Sequence, residues 1–210
     1  MNNILTEKEY QRFIIDKLVS ENGYIERKSV KFDRNFAIDR EVLFKFLDDT
    51  QPDAMANIRK VYKDATEDTV VNFINAEIIK SRSSLVSVLK HGVEIAGYKI
   101  DLMYTKPTTT FNKELLDKYN KNIFSVMEEV WASDTERVDL VVFLNGFAIM
   151  SFELKCNLAG QNYQDAIMQF RMNRSPKTRL FFFKAGCIVN FAMDLQEVYM
   201  TTRLAGESTF

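Results

Sequence analysis

The sequence predicts an α/β fold of the α+β type, with a mainly helical part (residues 1–90) packing on a core of sheet and helix (residues 91–210) as one compact unit. Three observations predict it. Up to about Lys90 the apolar residues recur with helical spacing. Beyond Gly92 they alternate as strands do, starting with Val93, Ile95, Tyr98, Ile100, Leu102 and Tyr104. Finally, two apolar runs, Arg137 to Leu144 and Phe147 to Lys155, meet at Asn145-Gly146, a strong hairpin signal.

The first helix runs from Thr6 to about Ser20 on Tyr10, Phe13, Ile14 and Leu18, with Thr6 and Glu9 in capping-box spacing and Gly23 as its stop. Ile25 to Arg40 is dense in charge and reads as a solvated connection, or else as a loop that touches phosphate. Short helices follow over Glu41 to Leu47 and from Pro52 to about Lys63, proline suiting a first helical turn. Asp64, three residues before Glu67, is the expected cap of a helix through Val70, Ile74 and Ile78, and Ser84 to Lys90 adds a short one. Val93 to Tyr104 makes a hairpin about Ala96-Gly97, and Asn112 caps a helix through Leu115, Leu116 and Tyr119. Ile123 to Trp131 is a strand, Gln161 to Arg174 a helix broken at Ser175-Pro176, and Cys187 to Met193 and Val198 to Thr202 two last strands.

A chain of 210 residues that is 46% hydrophobic can bury a real core. Its net charge of −1 argues against a protein that coats nucleic acid by bulk charge, yet it leaves room for a nuclease whose metal supplies positive charge locally. Cys156 and Cys187 are too few for a disulfide framework, and with the single His91 they cannot complete a four-ligand zinc site; reduced thiols are expected. The N-terminus lacks a signal-peptide core and no run nears the roughly eighteen apolar residues of a membrane span, so a cytoplasmic protein is expected. There is no Gly-x-x-x-x-Gly-Lys-Ser/Thr phosphate loop.

The anomaly is three charges in the apolar hairpin: Asp139, Glu153 and Lys155. Burying charge costs several kcal/mol unless something pairs with it, and a hard metal ion is one such partner. Glu153 and Lys155, two apart on a strand, share a face, and Phe152 and Leu154 take the other. A two-residue Asn145-Gly146 turn would set Leu144 opposite Phe147 and hence Asp139 opposite Phe152, on the wrong face. A three-residue loop, Leu144-Asn145-Gly146, would set it opposite Ser151 and diagonal to Glu153, so function predicts the bulged turn. The competing reading is a strand end emerging into water with a weak surface ion pair.

Two converging carboxylates suit Mg²⁺, and a neighbouring lysine can orient a water and offset charge on a phosphate. On the next helix Asp165, Gln169 and Asn173 share one face, with Gln169 the member expected near the site. Arg171, Arg174, Lys177 and Arg179 form a basic cluster suited to DNA backbone contacts. His91 stands alone near a turn, and Asp101, the rival acid, lacks an acid-x-Lys partner and reads as structural.

Through Arg137-Val-Asp139, the hairpin, Phe152-Glu-Leu-Lys155 and the Gln169 helix, the sequence resembles the N-terminal nuclease domain of type I restriction enzyme R subunits, of the PD-(D/E)xK nuclease superfamily. Thr6 to Tyr10 with Gly23-Tyr24 resembles the family's opening helix, and Asn190 to Asp194 through Glu197 to Leu204 the segment after the nuclease core. The resemblance implies a central mixed sheet flanked by helices. It also implies Mg²⁺ on Asp139, Glu153 and the Leu154 carbonyl, Lys155 as catalytic lysine, Gln169 as the glutamine of a Gln-x-x-x-Tyr motif, and Glu7 or Glu9 as an opening-helix acid. Asn173 stands where that motif has tyrosine and Val138 where proline often precedes the aspartate.

By the same resemblance the chain is a fragment whose intact subunit carries ATP-hydrolysing motor domains. That subunit joins methyltransferase and specificity subunits and cuts double-stranded DNA after translocation. Two other functions compete: a stand-alone nuclease of the same superfamily in repair or phage defence, and a docking domain with a degenerate nuclease core.

Overall fold

The structure, a computed structural model, describes residues 6–80, 82–109, 111–157, 160–206 and 209–210. At its centre is a mixed sheet in which β1 (Ile25–Arg27) runs parallel to β6 (Phe124–Trp131), which pairs antiparallel with β7 (Arg137–Leu144), itself antiparallel to β8 (Phe147–Leu154). The far side of β8 is shared. Its first residue pairs with β3 (Ile38–Asp39), which carries β2 (Phe32–Asp33), and Met150 to Leu154 pair in parallel with β9 (Val189–Met193), to which β10 (Val198–Thr201) adds antiparallel.

Helices cover both faces. On one lie α1 (Glu7–Asn22), α2 (Arg40–Thr50), α3 (Pro52–Tyr62), α4 (Thr66–Ile79) and α5 (Leu85–His91), whose Ile15, Leu43, Ile58, Ile74 and Leu89 share a core with Val126, Leu140, Val142 and Leu154 of the sheet. The small hairpin β4 (Val93–Ile95) and β5 (Tyr98–Ile100), turning at Ala96-Gly97, closes that layer. On the other face α7 (Tyr163–Asn173) sets Ala166 and Phe170 against Met127, Val141, Phe143, Ala148 and Ala192. Between β5 and β6 comes α6 (Lys113–Asn120), capped by Asn112, whose side chain accepts the Leu115 N–H.

Most expected elements are present, and the differences have physical causes. The capping box of Thr6 and Glu9 and the left-handed Gly23 bound α1 as expected. Asp64 does not cap α4: a 3-10 turn over Lys63–Ala65 leads straight in, and Ala65 occupies the cap position without a side-chain bond. Ile25 to Arg40 is not a solvated connection, because it supplies β1, β2 and β3. Residues 1–90 thus contribute strands to the central sheet as well as helices. Its charges are used internally: the Arg27 guanidinium donates to both oxygens of Asp39, which is buried and whose Oδ1 also accepts the Val42 N–H that begins α2.

The hairpin turn departs from expectation. Asn145 and Gly146, at φ 49° and 86°, form a plain two-residue turn with Leu144 opposite Phe147, not a three-residue loop. The extra residue appears farther in. Phe143 pairs with Ala148 but Val142 pairs with Met150, so Ile149 is a β-bulge that moves the register by one. Beyond the bulge Leu140 faces Phe152, and the next position sets Asp139 across from Glu153. The turn itself is anchored: a Cβ on Gly146 would stand 2.5 Å from the Asp39 carbonyl oxygen and 2.8 Å from the Leu43 nitrogen. The buried Asn145 amide accepts from the Ile123 N–H (2.7 Å) and donates to the Leu102 carbonyl (2.9 Å) and to Asn122 (3.0 Å).

Candidate active site

Strand periodicity carries Asp139 to the α7 side of the sheet, following Val141 and Phe143 along β7, and the bulge brings Glu153 to the same side of β8. Asp139 Oδ2 accepts the Leu154 N–H at 2.7 Å, which fixes the aspartate beside the strand that bears the second acid. From the other direction Gln11 of α1 donates to the Asp139 carbonyl at 2.9 Å. Lys155, just past the end of β8, is held by its own N–H to the Met193 carbonyl (2.9 Å) and by an ion pair from Nζ to Glu7 (3.1 Å). The opening helix therefore brings Glu7 to the site, whereas Glu9 serves the Thr6 cap.

Glu153 is fully buried and engages Arg174, whose Nε donates to Oε1 at 2.7 Å. Its other oxygen, Oε2, is buried with no hydrogen-bond partner. The Glu153 carboxyl is raised to about 8, by burial first and then by the Asp139 charge, against the opposing pull of Arg174 and Lys155. Asp139 is raised to about 6, also by burial first, against the Leu154 N–H and Lys155. Two acids that resist ionisation side by side, one with an orphaned oxygen, make a place where added positive charge is favourable.

No group of three or more His, Cys, Asp and Glu side chains capable of holding a metal occurs among the described residues. The available donors are two carboxylates and main-chain oxygen. All are hard ligands, and so few of them suit Mg²⁺, which keeps several waters, better than zinc or a soft metal.

The remaining sequence-selected residues scatter. Gln169 is half-buried on α7 and makes no side-chain hydrogen bond among the described residues; Asp165 belongs to the capping box of α7 with Asn162, and Asn173 is exposed at its end. The expected basic patch is not one surface. Arg174 turns inward to Glu153, and Arg171 donates to the carbonyls of Thr209 (2.8 Å) and Phe210 (3.3 Å). Arg179 donates to the Phe36 carbonyl at 3.3 Å and is lowered to about 10 by burial, which leaves Lys177 exposed. The reason is the chain path: α7 stops at Asn173 and the backbone becomes extended at Arg174, so successive basic residues point in different directions.

Two neighbours of the acids, Gln11 and Glu129, were not singled out from sequence, and a third, Arg174, was expected to contact DNA backbone instead. Gln11 carries no motif, and Glu129, at φ 53° in β6, stands in register across from Asp139 in a ladder that skips it. The ordinary strand pattern of β6 conceals that left-handed residue.

Among the described residues no helix is long and apolar enough to cross a membrane. A comparison with curated proteins found no match. The family described as the type I restriction enzyme R protein N terminus matches residues 4–209, which takes in both acids, Lys155, Glu7 and Arg174. With a matched span of nearly the entire chain, on a mixed sheet flanked by helices, the chain belongs to the family of type I restriction enzyme R protein N-termini.

Proposed function

We propose that this chain is a Mg²⁺-dependent endonuclease domain that hydrolyses phosphodiester bonds of double-stranded DNA. The observation that carries the reading is the convergence of Asp139, Glu153 and Lys155, with Glu7 on the lysine and one buried Glu153 oxygen left unpartnered. Asp139, Glu153 and the Leu154 carbonyl would hold Mg²⁺. When bound, that ion supplies Lewis-acid polarisation of the phosphodiester and a water of lowered pKa. Lys155, steadied by Glu7, orients the attacking water and offsets charge gathering on the scissile phosphate. Asp139 is fixed by the Leu154 N–H, so little reorganisation is needed when the substrate arrives. Gln169, on the helix facing this side of the sheet, is the proposed polar contact to the DNA strand. Exposed Lys177 is a proposed backbone contact, and Arg171 and Arg179 would have to leave their carbonyl partners to join it.

In the full subunit, ATP-driven motor domains would translocate DNA, in a complex with methyltransferase and specificity subunits, before the cut. The test is an assay of the intact complex bearing Glu153→Ala or Lys155→Ala. Cleavage should disappear while ATP hydrolysis and translocation persist; preserved cleavage would sink the site assignment.

A further inference from the structure

Arg174 has a place in the site that neither its neighbours in sequence nor the acid-x-Lys pattern assigns. Its guanidinium is buried at the point where α7 ends, and it joins three elements. Nε donates to Glu153 Oε1 at 2.7 Å, Nη2 to the Arg137 carbonyl at 2.6 Å and Nη1 to the Asn173 carbonyl at 3.1 Å. Arg137 lies two residues before Asp139 on β7, so one rigid fork ties the strand of the first acid to the side chain of the second. It also uses only one of the two Glu153 oxygens, and the other is the buried, unpartnered Oε2.

We infer that Arg174 is a positioning residue that stays on Glu153 Oε1 in the metal-loaded site, thereby directing Oε2 to the Mg²⁺ and setting the spacing between the Asp139 and Glu153 carboxylates. The inference rests on the metal reading proposed above. The guanidinium plays the part that an outer partner plays for a ligand carboxylate: it fixes which oxygen is available and in what direction. A lysine there retains the charge but cannot make the three divergent contacts.

The test uses this chain with Mg²⁺ alone as probe. In protein labelled with nitrogen-15 at arginine, the Arg174 Nε–H resonance is followed through a Mg²⁺ titration. Continued slow solvent exchange with a Mg²⁺-dependent shift is expected. Fast exchange at saturation means the guanidinium has left Glu153 and overturns the inference. Calorimetric titration of Arg174→Lys should show Mg²⁺ binding weaker by about tenfold to a hundredfold; affinity equal to or above that of the parent overturns the inference. Glu153→Ala separates the two levels. If it loses Mg²⁺ binding while Arg174→Lys retains it, only the positioning role fails. If Glu153→Ala binds as the parent does, or the parent shows no Mg²⁺ response, the metal reading fails and this inference with it.

Discussion

At the scale of single residues, the two acids make stability depend on pH in an uncommon direction. Both have folded-state pKa values above their ordinary 3.8 and 4.5, so the folded, metal-free site holds protons more tightly than the unfolded chain. Their contribution to stability is complete below those ordinary values and is lost as pH rises through about 6 for Asp139 and about 8 for Glu153. Metal-free protein should therefore melt at falling temperature from about pH 5 to about pH 9, and Glu153→Gln should flatten the upper part of that slope. Thermal melts of the two proteins across the range check this; parallel slopes would refute it. That Glu153 and Lys155 share a face is an expectation the sequence alone could supply, because i and i+2 agree along a regular strand, as they do not across the bulge at Ile149. The inward role of Arg174 was not legible: next to Arg171, Lys177 and Arg179 it read as part of a basic cluster for DNA backbone contacts, and only the end of α7 turns it inward.

At the scale of elements, the β7–β8 hairpin shows how much of a register sequence can disclose. The need for one extra residue to bring Asp139 to the face of Glu153 was legible. Its location was not, since Ala148-Ile149-Met150 is apolar throughout and carries no glycine or turn residue to mark a bulge. The bulge makes a sharp distinction between two changes at one position. Ile149→Ala should cost about 2–5 kcal/mol through lost packing yet keep the register and with it Mg²⁺ binding. Inserting one alanine after Ile149 should advance the later residues of β8 by one place, set Phe152 across from Asp139, turn Glu153 to the opposite face and abolish binding at the site, even where the protein retains secondary structure. Chemical denaturation, circular dichroism and Mg²⁺ calorimetry on both variants decide the matter; binding by the insertion variant would refute the register argument. Likewise, Ile25 to Arg40 was illegible because its strands exist only through distant partners, β6 for Arg27 and β8 for Ile38.

At the scale of the whole molecule, the change of hydrophobic period near Gly92 made the mixture of helix and sheet readable in advance, whereas the mixed sheet with helices on both faces was an expectation only of the resemblance. The polarity of the surface follows as well. With a net charge of −1, and with Arg171, Arg174 and Arg179 engaged internally, the chain by itself has little to attract a duplex. Added to supercoiled plasmid with Mg²⁺ at low salt, this chain alone should nick weakly or not at all, and gel analysis checks it. Robust cutting would mean that DNA is gripped by a surface other than the expected basic cluster.

The Asn145-Gly146 turn also bears on how the molecule ages. Asparagine before glycine is prone to deamidation, in which the following backbone nitrogen attacks the side-chain carbonyl and ammonia is expelled. Here that carbonyl oxygen is bonded to the Ile123 N–H, the amide nitrogen is committed to Leu102 and Asn122, and the residue is wholly buried, so the attack geometry is closed while the fold persists. Isoaspartate at residue 145 would thus record time spent unfolded, and a chain so altered could not rebuild the turn that leads into the acid-bearing strand.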